Sequence, residues 1–297
     1  MVDYRKYLDP EVLSKLSRLD IVARLVVEGF ITGLHRSPYH GFSVEFAEHR
    51  QYMPGDPARD IDWKIYGKSD RLYVREYEEE TNLKAYILLD RSGSMGFTSG
   101  SVTKFEYARF LSAALSYLML RQRDAVGLVA FDEVIRQYIP PRSVVSHLHV
   151  LLGELDHLTP ASTTDLPKAF HDLAERIKRR GLIIVISDLF GDPRSVISGL
   201  KHFRHRKHEV IVFHVLDPKE RDFSFDSEAK FVDLETGEEV ATQPWHIQRE
   251  YRTLVQKFID TYRRNCRESL IDYVPIDTSV PFDVALLGYL AKRRKLG

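Results

Sequence analysis

Hydrophobic positions along this chain change period several times, and each change marks an element. Residues 9–33 carry apolar side chains at helical spacing, through Leu13, Leu16, Leu19, Ile21, Leu25, Val26 and Phe30, after an Asp9-Pro10 start. Gly41–Phe46 and Leu72–Glu78 alternate as strands. From Asn82 onward, unbroken apolar runs alternate with helical patterns. Tyr86–Leu89 reads as a buried strand, and 104–122 as a helix whose face holds Phe105, Ala108, Leu111, Ala114, Leu115 and Leu118. Ala125–Phe131 and Val134–Ile139 form a predicted hairpin through Asp132-Glu133. Helices over 144–158 and 166–180, the strand Leu182–Asp188, a helix over 193–204 and the strand Val210–Val215 follow. A short hairpin turns at Thr236-Gly237, before a helix over 245–269, a strand over 270–276 and a last helix over 281–295.

This alternation predicts an α/β fold, doubly wound around a mostly parallel sheet, with helices on both faces. The expected division is an N-terminal helix and small β module over 1–81, the main domain over 82–276 with the hairpin inserted near 229–242, and a C-terminal helix over 277–297.

Composition narrows the function classes. Lys+Arg and Asp+Glu both number 43, so no global field draws the chain to nucleic acid or an anionic membrane. Cys266 is the single cysteine, which excludes an internal disulfide and points to a reducing compartment. No run approaches the length of a membrane span, and Met1–Lys6 leads into no signal-like core. A cytoplasmic protein is expected.

The chemistry concentrates where strands end. Tyr86–Leu89 runs into Asp90-Arg91-Ser92-Gly93-Ser94, with an acid and two hydroxyls at alternate positions. In open α/β sheets, ligands bind beyond the carboxyl ends of the strands. Leu182–Ser187 ends in a second acid, Asp188, and Ser162-Thr163-Thr164-Asp165 is a hydroxyl-rich loop between them. Oxygen donors of this kind suit a hard cation. Asp-x-Ser-x-Ser at 90–94, Thr164-Asp165-Leu166 and Asp188 resemble the metal-ion-dependent adhesion site of von Willebrand factor A domains. The resemblance spans about residues 82–276 and implies that fold. It also implies Mg²⁺, or Mn²⁺ in its place, held by Ser92, Ser94 and Thr164, with Asp90 and Asp188 bound directly or through water. Such a weakly charged shell leaves one position for a partner's carboxylate. Glu133, on the nearby hairpin, is the one internal group weighed for it. Ser162-Thr163 stands where Gly-Gly often precedes the threonine.

A second motif, Arg50-x-Tyr52-x-Pro54-Gly55-Asp56-x-x-Arg59-x-Ile61-Asp62-Trp63, resembles the bacterial family known as domain of unknown function 58. Gly67-Lys68 departs from the Ala-Arg the family often carries. That resemblance implies association with MoxR-type AAA+ ATPases. The motif itself reads as an ion-pair and turn framework in preference to a docking surface.

The expected function is a non-catalytic, metal-dependent protein-interaction module, an adaptor or client of such an ATPase. The alternative is a Mg²⁺-dependent hydrolase of phosphoesters, which needs a base or nucleophile beside the metal. Residues 90–96, 162–166 and 188–192 hold no His or Lys. Other signals are weaker. Gly67-Lys68-Ser69 lacks the first glycine of a phosphate loop. His202, His205 and His208 read as a solvated helix end, Cys266 as a structural thiol, and Lys292–Lys295 as a complement to the helix dipole.

Overall fold

A computed structural model describes residues 18–36, 50–51, 66–67, 72–74, 83–161, 163–225 and 227–294. Its strands are β1 (Arg50–Gln51), β2 (Tyr73–Val74), β3 (Lys84–Asp90), β4 (Ala125–Phe131), β5 (Ile135–Arg142), β6 (Leu182–Ser187), β7 (Glu209–Leu216), β8 (Ala229–Val232), β9 (Glu239–Thr242) and β10 (Asp272–Asp277). Its helices are α1 (Leu19–Arg36), α2 (Lys104–Arg121), α3 (His147–His157), α4 (Leu166–Arg176), α5 (Pro193–His205), α6 (Pro218–Asp222), α7 (Pro244–Glu268) and α8 (Phe282–Arg294).

Six strands form the central sheet in the order β10-β7-β6-β3-β4-β5, parallel throughout except for the antiparallel β4–β5 edge. This is the expected doubly wound, mostly parallel sheet. The chain proceeds from β3 to β4 and β5 on one side, then crosses to β6, β7 and β10 on the other. The strand order therefore reverses between β3 and β6, which makes the crevice above Asp90 and Asp188 the topological switch point.

Period-two alternation divides the sheet's side chains between two cores. Ala85, Ile87 and Leu89 of β3 face α1, α2, α3 and α8, while Tyr86 and Leu88 face α4, α5 and α7. Helix α2 is buried almost all round because α1 lies across its far side. Its hydroxyls Ser112 and Ser116 are satisfied by the carbonyls of Ala108 and Ser112, one turn back. The face that α1 buries is Leu19, Val22, Ala23, Val26 and Val27, whereas Ile21 is exposed. The apolar stripe expected from sequence is thus rotated: α1 rests mainly on α2, with lesser contact to α3 and α8, and apolar residues beside the buried strip stay in solvent.

Two short elements were not expected, the 3₁₀ turn Gly93–Gly96 and α6. Both are shorter than the window over which periodicity can be read. Helix α6 is specified by local chemistry instead, with Pro218 in its first turn and a capping box between Asp217 and Glu220. Strands β1 and β2 pair antiparallel. The remainder of the Arg50–Trp63 motif, Ser162 and the start of the 9–33 helix lie outside the described residues. Among the described residues no helix is long and apolar enough to cross a membrane.

Candidate metal centre

Strand β3 delivers Asp90 to the carboxyl edge of the sheet with both carboxylate oxygens engaged. Oδ1 accepts from the Ser92 amide at 2.8 Å, and Oδ2 accepts from the Ser187 hydroxyl at 2.6 Å. The chain then turns through Gly93–Gly96, which sets the Ser92 and Ser94 hydroxyl oxygens 3.0 Å apart. Arg91 fastens this turn to its neighbours. Its amide donates to Phe131 O at 3.0 Å, its guanidinium Nε to Thr159 O at 3.1 Å, and its carbonyl accepts from the Ala161 amide at 2.8 Å. The loop carrying Thr164 is thereby stitched to the loop carrying the serines. Asp165 caps α4 by accepting from the Lys168 amide at 3.1 Å, which fixes Thr164 just outside the helix. The Thr164 hydroxyl oxygen is buried and has no hydrogen-bond partner.

Asp188 follows β6, next to β3. Its Oδ1 accepts from the Phe190 amide at 3.2 Å, and Oδ2 pairs with Lys104 Nζ at 2.7 Å. Burial, and then the Asp188 charge, push the Asp90 carboxyl well above the usual carboxylate range. Two acids therefore face each other at low solvent exposure.

Three groups at this site were missed by sequence reasoning. The first is Lys104, whose ammonium is also 2.6 Å from Glu220 Oε1. Burial disfavours its charge, but Asp188 and Glu220 outweigh this and raise its pKa. The segments 90–96, 162–166 and 188–192 hold no lysine, and Lys104 reaches the site from α2, outside them. A signal was available: a lysine in the first turn of a helix opposes the macrodipole and invites a search for an acidic partner. The second is Ser187, which holds Asp90. The third is Glu235, at the tip of the β8–β9 hairpin. Its Oε2 accepts from the Thr164 amide at 3.1 Å, and it lies against the Ser94 amide and hydroxyl. Glu133, the internal group weighed from sequence, is instead engaged by the Thr163 hydroxyl.

The remaining sequence candidates fall elsewhere. Cys266 is fully buried in the α7 core, and burial pushes its thiol up to about 12, so it is a packing residue. His202 contacts His171 and Glu175 at the surface, but His208 is fully buried with Nε2 3.1 Å from Ile177 O, so the expected solvated cluster is divided.

The donor set is three hydroxyls with two carboxylates. Among the described residues no three His, Cys, Asp or Glu side chains converge as a metal site. A hard, weakly held cation is the species this set fits, and the orphaned Thr164 oxygen marks where a ligand interaction is missing from the protein's own bonding.

Fold and site together define a doubly wound α/β protein with a hydroxyl-rich crevice at its switch point. The chain belongs to the family described as "Protein of unknown function DUF58", whose profile matches residues 48–261. It is 27% identical over 232 residues to an uncharacterized protein of Mycobacterium tuberculosis, covering 77% of this chain and 73% of the relative. Solved structures similar to it include the conserved hypothetical protein BatB from Bacteroides thetaiotaomicron, at 16% identity and TM-score 0.48, covering 72% of this chain and 100% of that one. Another is the SpRpn10 VWA domain, at 14% identity and TM-score 0.40, covering 70% of this chain and 94% of that one.

Proposed function

We propose that this protein is a Mg²⁺-dependent protein-interaction module. Ser92, Ser94 and Thr164 would hold the ion, with Asp90 and Asp188 bound to it directly or through water. Bound there, the ion supplies an electrophilic position for an acidic side chain of a partner. A MoxR-type AAA+ ATPase, or a client of one, is the proposed partner. The observation that carries the reading is the buried, unpartnered Thr164 hydroxyl, on a loop that Arg91 fastens to the turn carrying Ser92 and Ser94. A buried hydroxyl without a partner is costly unless a ligand takes it up. The hydrolase alternative is less well supported, because Lys104, the lysine that reaches the site among the described residues, is held between two carboxylates and so is not a free base.

Two expectations test this. Mg²⁺ or Mn²⁺ should raise the melting temperature, with a gain of about 2.7 kcal/mol at a hundredfold excess over Kd. Asp90→Ala should remove the gain, and calorimetry showing no divalent effect on the wild type would refute the site. Co-purification with the ATPase should need Mg²⁺, and should be lost with chelator and in a folded Ser92→Ala protein. Association that chelator and the substitution leave unchanged would refute the metal-mediated contact.

A further inference from the structure

The β8–β9 hairpin is an insertion between α6 and α7, and its tip sits on the serine loop. Phe223, Phe225, Phe231 and Tyr251 form an aromatic cluster at its base, with the Phe223 ring 4.1 Å from that of Tyr251 and 5.2 Å from that of Phe231. At the tip, Asp233 Oδ1 accepts from the amides of Glu235 and Thr236 at 2.7 and 3.0 Å, and Gly237 takes φ +75°. This closes a rigid turn that projects Glu235. The approach to the serine loop is so close that a Cβ at Gly93 would meet Leu234 O at 2.7 Å, so glycine is needed there. Glu235 then reaches the Thr164 amide and Ser94, two of the residues assigned to the ion.

We infer that Glu235 is a built-in occupant of the open metal position, so that the hairpin competes with an acidic partner for the same ion. The inference rests on the metal reading above. Its physical basis is that a carboxylate already stands at the Thr164 amide, beside the turn that carries Ser94, on a hairpin anchored at both ends. A partner's acid must displace it, and the hairpin therefore sets the threshold for binding. Displacement leaves the Thr164 and Ser94 amides to the incoming carboxylate, which makes the exchange one carboxylate for another.

Mn²⁺ is the probe for the test, read by calorimetry and by the water-proton relaxivity of the bound ion. Glu235→Ala should open a coordination position to water, raising the relaxivity per bound Mn²⁺ and weakening Mn²⁺ affinity on the order of tenfold. Glu235→Asp, one methylene shorter on the same turn, should fall between wild type and Glu235→Ala in both readouts. Adding acetate should lower the relaxivity of the Glu235→Ala complex more than that of wild type. Unchanged relaxivity and affinity in Glu235→Ala, with Mn²⁺ bound by both proteins, would overturn this inference and leave the metal reading standing. Absence of Mn²⁺ binding in both proteins would overturn the two together.

Discussion

Replacing Lys104 with methionine is expected to destabilise the protein by about 3–5 kcal/mol, the usual result of removing one partner from a buried ion pair. The side chain of Lys104 is 0% exposed and that of Asp188 2%, while Glu220 retains 14%. Methionine preserves the length and much of the volume of the stem, so the effect isolates the ammonium. Without it, the Asp188 carboxylate keeps, among the described residues, the Phe190 amide and faces Asp90, and Glu220 loses its cation too. The Phe190 ring, whose centroid lies 4.7 Å from Nζ, loses its cation as well. The double variant Lys104→Met/Asp188→Asn removes one of the two carboxylates left without their cation, Glu220 being the other, and should recover part of the loss. Denaturant unfolding of the four proteins of this cycle measures the coupling. A Lys104→Met protein as stable as wild type would mean that solvent reaches Asp188 freely, contrary to its burial.

The same lysine explains why part of the site could be read from sequence and part could not. Asp90, Ser92 and Ser94 lie within five residues of one strand end, so the strand period and a single turn bring them together. Helix and strand order placed Asp188 next to Asp90, since neighbouring parallel strands end at the same edge. Lys104 reaches Asp188 across 84 residues of sequence, and Glu235 reaches Thr164 across 71. Neither distance is encoded by any local period. Lys104 depends on how α2 is set against the strand ends, and Glu235 on how an inserted hairpin folds back over them. The fold itself was more legible because its inner strands β3, β4, β6 and β7 are buried on both faces and read as apolar runs. Helix α1 was legible as a helix but not in its buried face, because both α1 faces hold apolar residues and only tertiary packing selects among them.

These considerations give Thr164 a diagnostic role. Thr164→Val keeps the β-branched shape and removes only the hydroxyl. In the metal-free protein that oxygen is buried without a protein partner, and leaving such a group unsatisfied costs about 1–3 kcal/mol. The valine variant should therefore melt higher than wild type in the presence of chelator. In Mg²⁺ the order should reverse in kind: wild type gains stability with ion concentration, and the variant does not respond. Thr164→Ser, which restores the oxygen on a smaller side chain, should regain the response. A stabilised valine variant that still binds Mg²⁺ with wild-type affinity would show that the threonine oxygen is not a ligand. A valine variant destabilised in chelator would show instead that the hydroxyl contributes to the fold. Only the combination of higher apo stability and a lost ion response agrees with a hydroxyl kept unpaired so that it can hold a cation.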